Sequence, residues 1–374
     1  MDLSGSMDAI EPIVTNETVY LAVTTSNSPT EGDGYIGAYD RATGDQLWET
    51  NRFPRPKTPT VYDGTLYVAT RVPEYPGSNE GGLYAIDAKT GEIEWKRTNR
   101  LKWLMPVVED DRLYTATADG AYALDTESGE TIWKRANVGG LSDGLGGSLS
   151  YADGTVFGSD GTALDATDGS VSWQAPEEKR TFGNHTVSNG RIFYIRSDYI
   201  QGDDSRVVVE ARSAATGDID WTYSSSGHNR WDGRLAVAKN YVLIPHSNAT
   251  EAGIAALDVR SGAVKWSTDL YGDFFSNPTV ADETVYLGGR YLPEDDPRKG
   301  FAVVYAVALR SGNIRWVYRL DSSNLKTTSE NPSAAGTPVV SDGNLYTATY
   351  PAGSTLRYQY LEYSNFFALK SWNE

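Results

Sequence analysis

Apolar and polar residues alternate along this chain in short runs, each opened by a turn pair. "TNETVYLAV", "YDGTLYVAT", "DDRLYTAT", "ADGTVFGSD", "SNGRIFYIR", "KNYVLIP", "ADETVYLGG" and "SDGNLYTAT" are eight versions of one element. Period-two alternation behind Asp-Gly or Asn-Gly predicts a β-hairpin, because such pairs supply the positive φ that tight turns need. A second element alternates with the first. It is the frame Ala-x-Asp-x-x-Thr/Ser-Gly-x-x-x-Trp, clear in "AYDRATGDQLW" at 38–48 and "ALDTESGETIW" at 123–133. It recurs at 85–95, 163–173, 211–221, 256–266 and 306–316, giving seven copies whose tryptophans lie 38 to 50 residues apart. Thr/Ser-Gly makes another tight turn and Trp lies in the strand that follows. No amphipathic pattern of helical period separates these units.

Four short antiparallel strands per unit of this length predict an all-β, eight-bladed β-propeller of four-stranded blades. The blades fall near 9–50, 57–98, 103–136, 146–176, 183–224, 232–269, 276–320 and 335–371, with 1–5 added to the last. Eight hairpins against seven Trp frames is a mismatch that the ends resolve. The start, "MDLSGSMDAIEPIVTNETVYL", aligns with "TDLYGDFFSNPTVADETVYL" at 268–287, which begins inside an outer strand. Residues near 1–5 are therefore expected to supply blade eight's outer strand, a clasp that closes the propeller and covers an edge.

A blade buries both faces against its neighbours, and Trp is the largest apolar plug for that purpose. Burying 150–250 Å² of ring is worth about 4–6 kcal/mol before entropy is counted. Trp48, Trp95, Trp133, Trp173, Trp221, Trp266 and Trp316 are accordingly read as docking residues, each indole N–H expected on a carbonyl of the adjacent blade. The motif Ala keeps the strand small where a neighbouring Trp lands. The motif Asp accepts N–H groups of its own turn, and Gly takes the left-handed position. Ser213 and Ala308 replace that Asp in blades five and seven, where the turns should be held less firmly.

With its seven docking frames, the chain resembles the PQQ-like, or quinoprotein-type, eight-bladed propeller repeat family, in its BamB-like non-enzymatic branch. The resemblance spans essentially the whole chain. It implies one of three functions: a non-catalytic binding scaffold, a quinone-dependent dehydrogenase, or a BamB-like factor in outer-membrane assembly. The family's dehydrogenases stack the quinone on a Trp and ligate calcium with carboxylates and an amide. Those with vicinal cysteines at the quinone have no counterpart here, because the chain has no cysteine.

Composition narrows the choice. The net charge of −17, from 50 acidic against 33 basic residues, argues against nucleic acid and anionic membranes as partners. Only 11 of the basic residues are Lys, and a Lys-poor, acid-rich surface suits a high-salt source, a halophilic prokaryote of archaeal type. No run is apolar enough to span a bilayer. The first residues carry no signal peptide. The resemblance and a start that reads as trimmed of its export signal point to an extracellular or cell-surface protein, expected to be monomeric.

Chemistry is sparse. There are three histidines, His185, His228 and His246, with no nucleophile elbow, zinc motif or phosphate loop. The acidic clusters at 109–111, 203–204 and 294–296 lack the spacing of a calcium loop. No catalytic residue and no metal ligand is assigned, and neither PQQ nor calcium is expected as a cofactor. Polysaccharide-acting chemistry is the other enzymatic alternative. For binding, the connections from outer to inner strands and the middle (B–C) connections share one face. That face is expected to take a protein or glycan partner through Trp103, His228, Arg230, Trp231, Phe274 and Phe275. Trp103 and Trp231 lie outside the repeat frame. The Tyr-rich stretch at 350–363 is the strongest candidate partner loop. Sequons at Asn16, Asn184 and Asn248 permit glycosylation after export.

Overall fold

A computed structural model of the chain describes every residue except 1, 5–9, 27–32, 71–80, 99–101, 139–147, 177–183, 199–205, 227–234, 248–251, 275, 292, 294–299, 321–332, 352–362 and 371–374. The described residues form 33 strands and no helix. The fold is an eight-bladed β-propeller of antiparallel blades. Its strands fall into two compact units, Met1–Trp103 with Tyr271–Glu374, and Leu104–Leu270.

In the first unit, β1 (Asp2–Ser4) precedes blade one, which runs β2 (Ile13–Val14), β3 (Thr18–Ser26), β4 (Asp33–Asp40) and β5 (Gln46–Asn51). Blade two runs β6 (Thr60–Tyr62), β7 (Thr65–Ala69), β8 (Leu83–Asp87) and β9 (Ile93–Arg97). The second unit holds blade three, β10 (Val107–Glu109) to β13 (Thr131–Ala136) by way of β11 (Arg112–Thr117) and β12 (Gly120–Asp125). Blade four follows as β14 (Leu149–Ala152), β15 (Thr155–Gly158), β16 (Thr162–Asp165) and β17 (Val171–Gln174). Blade five is β18 (Asn184–Ser188), β19 (Arg191–Asp198), β20 (Arg206–Ser213) and β21 (Ile219–Ser226). Blade six is β22 (Ala236–Ala238), β23 (Tyr241–Ser247), β24 (Ala252–Asp258) and β25 (Val264–Leu270). Back in the first unit, blade seven is β26 (Thr279–Ala281), β27 (Thr284–Tyr291), β28 (Phe301–Ala308) and β29 (Ile314–Arg319). Blade eight combines β30 (Ser333–Ala335), β31 (Val339–Ser341), β32 (Asn344–Pro351) and β33 (Tyr363–Lys370) with β1.

The clasp forms as the sequence predicts. β1 pairs antiparallel with β33, Leu3 opposite Ser364, and Leu3 is buried in a cluster with Ile10, Val19, Tyr346 and Phe366. Deleting residues 1–8 removes that plug, worth about 1.5–3 kcal/mol, and bares the edge of β33. The truncated protein is expected to melt lower and to aggregate in size-exclusion chromatography. A monomer with unchanged Tm contradicts this.

The hairpin turns follow the sequence signal, with positive φ at Asp63–Gly64, Asp153–Gly154, Asn189–Gly190 and Asp342–Gly343. The core lies between adjacent blades, as in the cluster of Tyr20, Ala22, Ile36 and Ala38 of blade one with Leu66, Val68, Tyr84 and Ile86 of blade two. In all seven frames the motif Ala pairs across to the Trp of its own blade, for example Ala123 to Trp133, and the register shifts one residue later. The small residue therefore faces its own blade's indole, not only a neighbour's. The shift is a β-bulge, which sharpens the local twist of the outer strand.

Candidate functional site

The seven frames decide which residues are free for recognition. In four of the seven frames the indole Nε1–H donates to a carbonyl of the following blade: Trp48 to Ala88 (3.0 Å), Trp133 to Ala166 (3.0 Å), Trp173 to Ala214 (2.8 Å) and Trp221 to Val259 (3.2 Å). Each acceptor sits one residue past the motif Asp position. An aromatic residue of the second strand tilts against the same indole, as Tyr114 does at 6.1 Å from Trp133. The Tyr114 hydroxyl and Arg112 Nη1 add donors to the Ala166 carbonyl.

Glycine has two duties here. Gly169 adopts φ +71°, and a Cβ on it would lie 2.6 Å from the Trp133 ring. Gly91, Gly217 and Gly262 stand in the same relation to Trp48, Trp173 and Trp221. Gly44 instead has open space around it, since blade eight has no motif Trp to offer blade one. Arg41 takes that place. Its guanidinium donates to the Tyr346 hydroxyl (3.0 Å), Ser341 O (3.0 Å) and Thr15 O (3.1 Å) and pairs with Asp342 (2.8 Å).

The motif carboxylates serve their own turns. Asp40 Oδ1 accepts the N–H groups of Ala42 and Thr43, and these bonds hold its pKa below the ordinary carboxylate range. Asp258 is lowered to about 2, first by Lys265 and then by Ser261. In blade five the Ser213 Oγ accepts Thr216 N at 3.2 Å.

Of the residues proposed for the loop face, His228, Arg230, Trp231 and Phe275 lie outside the described residues, as does the 352–362 stretch. Trp103 is fully buried, with the Arg97 guanidinium 5.4 Å from its ring centre. Phe274 is buried edge-on against Tyr305 and lies over Gly289, where a Cβ would come within 2.7 Å of its ring. Both therefore stand beneath the surface.

What does reach the surface was not singled out from sequence. Around blade seven, Tyr271 lies 6.5 Å from Tyr291, Tyr291 stacks on Phe301 at 5.0 Å, and the Arg319 guanidinium sits 4.1 Å above Phe301. Tyr271 is 60% exposed. Beneath this ladder Arg290 grips Asp273 Oδ2 through Nε (3.0 Å) and Nη2 (2.6 Å). The Asp273 and Arg290 backbones also bond reciprocally at 2.9 Å, which fixes the 271–274 segment to the end of β27. A cation capping stacked rings suits a planar or extended polar partner.

A serine–histidine cluster among the described residues of the second unit is built differently from a nucleophile. Ser148 and Ser159 Oγ each lie 3.4 Å from His185 Nδ1. Their protons go elsewhere, Ser148 to Asn184 Oδ1 (3.1 Å) and Ser159 to Ser148 O (3.0 Å). His185 Nε2 is buried without a partner, so no carboxylate orients the ring as a catalytic base requires. The same network engages the Asn184 sequon amide. Burial lowers the His185 pKa to about 4, from 6.5.

That shift has a stability consequence. The folded state resists a proton that the unfolded chain accepts near pH 6.5, so stability is complete above that pH and falls as the pH drops toward 4. The loss reaches about 3 kcal/mol. Urea unfolding at pH 7 and pH 4 is expected to show it in the wild type and to show a smaller loss in His185→Gln. Equal losses in both proteins contradict the assignment.

Among the described residues no three His, Cys, Asp or Glu side chains gather closely enough to hold a metal ion. With Trp103 buried, it presents no open face on which a quinone could stack.

Comparison with known proteins now adds the lineage. A sequence profile of the family described as outer membrane protein assembly factor BamB matches residues 32–139, 120–230 and 204–334, most of the chain. The chain belongs to this PQQ-like repeat family. BamB of Yersinia pestis is 27% identical over 197 residues, 52% of this chain and 48% of that protein, so the match spans about half of its length. The structure of BamB from Moraxella catarrhalis aligns with TM-score 0.62 at 19% identity, covering 93% of this chain and 92% of that one. Quinohemoprotein alcohol dehydrogenase from Comamonas testosteroni aligns at TM-score 0.61 and 13% identity, over 100% of this chain and 76% of its own. At such identities the two alignments establish the shared propeller fold.

Proposed function

We propose that this member of the family is a non-catalytic binding scaffold that takes protein partners on the loop face, in a cell-surface or envelope setting. The observation that carries the reading is the ladder of Tyr271, Tyr291, Phe301 and Arg319. It is an aromatic and cationic surface, Tyr271 and Arg319 exposed and Tyr291 and Phe301 half-buried, held in place by the Asp273–Arg290 pair. The His185 cluster supports it from the other side, since the serine protons there are committed to other acceptors. Kinship with a factor named for outer-membrane protein assembly favours protein over glycan as the partner class.

The test has two arms. The purified protein is titrated with PQQ and calcium and assayed for dye-linked oxidation of alcohols and sugars; activity there overturns the scaffold reading. Immobilised protein is then exposed to an envelope extract of its own source. Retention of a defined protein by the wild type and its loss in Tyr271→Ala, at unchanged Tm, is the expected result. Retention equal in both proteins removes the ladder from the account.

A further inference from the structure

The outer strand of blade seven departs from its six counterparts in charge and in cover. From Ala308 to Arg319 the chain carries Arg310, Arg315 and Arg319 and no acidic residue, whereas each of the other six motif-to-strand segments carries two or three carboxylates. On a chain of net charge −17 this is a local inversion of sign. β29 is exposed at all six positions, while the other outer strands bury their Trp at least partly. Trp316, Val317 and Tyr318 are 41%, 49% and 48% exposed.

β29 also ends its sheet, paired to β28 alone, so its outer row of N–H and C=O groups meets no strand among the described residues. Proteins guard such edges with charge, and the sign of the guard selects what is admitted. Arg310 is held by Glu283 at 3.1 Å. Arg315 Nη1 donates to Thr284 Oγ1 (2.7 Å), and Arg319 rests on Phe301. Neither Arg315 nor Arg319 has a carboxylate partner among the described residues. Alternation along the strand places Arg315, Val317 and Arg319 on one face and Trp316 and Tyr318 on the other.

We infer that β29 docks an extended acidic polypeptide segment by strand addition. The open backbone row supplies the hydrogen bonds. Arg315 and Arg319 meet the incoming carboxylates, and Trp316 and Tyr318 receive apolar side chains on the opposite face. Arg319 is shared with the ladder, but the open backbone row and Arg315 belong to the outer strand of blade seven and do not enter the loop-face reading.

The probe is a fluorescent peptide of alternating Glu and Val, about ten residues long, followed by anisotropy with the full chain near 0.1 M ionic strength. Saturable binding is expected, weakened about tenfold by the pair R315E/R319E and by less in R315Q/R319Q. The Lys–Val counterpart and a backbone N-methylated Glu–Val peptide are expected not to bind. Circular dichroism melts verify that each variant is folded. No saturable binding by the wild type overturns the inference, and so does indifference to charge reversal or to N-methylation. A wild-type dimer that the reversals make monomeric would assign the edge to a second copy and overturn it too.

Discussion

Trp133→Ala is expected to destabilise the protein by about 3–5 kcal/mol, the range for removing a large side chain from a packed interior. Trp133 is only 8% exposed, its N–H is spent on Ala166 O, and its ring lies on Gly169 and Tyr114. Truncation opens a cavity between blades three and four. It also strips one of three donors from a carbonyl placed to receive them. Trp316→Ala, at 41% exposure, serves as the internal comparison and is expected to cost far less. Urea unfolding of both variants checks the contrast, and equal losses contradict it.

The second large effect belongs to blade five. Arg212 Nε and Nη2 bond Glu210 Oε2 at 3.0 and 2.6 Å, with both side chains almost wholly buried. Arg212 Nη1 continues to Gly217 O at 2.8 Å. This blade lacks the motif Asp, and the guanidinium holds the turn that the carboxylate holds elsewhere. Arg212→Leu leaves a buried carboxylate without its counter-charge, at a cost of about 3–5 kcal/mol. Glu210→Leu with Arg212→Leu removes both charges and is expected to recover much of that loss. Denaturant midpoints decide the matter: a single variant as stable as the wild type, or a double variant worse than the single, contradicts the argument.

These cases also mark where sequence reading succeeds and where it stops. The blade count was legible because period-two strands, Asp-Gly turns and the Trp frame are local signals with fixed spacing. The clasp was legible because residues 1–21 align with 268–287. Arg41 standing in for a missing Trp was not, since that requires knowing that its turn meets Tyr346 and Asp342, some 300 residues away. The second duty of Gly169 was hidden for the same reason: its φ is a local matter, but the indole beneath it comes from another blade. Trp103 and Phe274 stood out as aromatics beyond the frame, yet composition carries no record of burial, and both lie inside. The ladder of Tyr271, Tyr291, Phe301 and Arg319 went unnoticed because four separate segments meet only once β27, β28 and β29 are in register.

Trp and Gly act as one lock across a blade boundary, and a double-mutant cycle between Trp133 and Gly169 measures that lock directly. Gly169→Ala alone should be costly, because its Cβ drives into the indole as well as straining the turn. On a Trp133→Ala background the collision is gone and only the turn strain of about 1 kcal/mol remains. A coupling above about 1 kcal/mol is the predicted result; additive effects would contradict it.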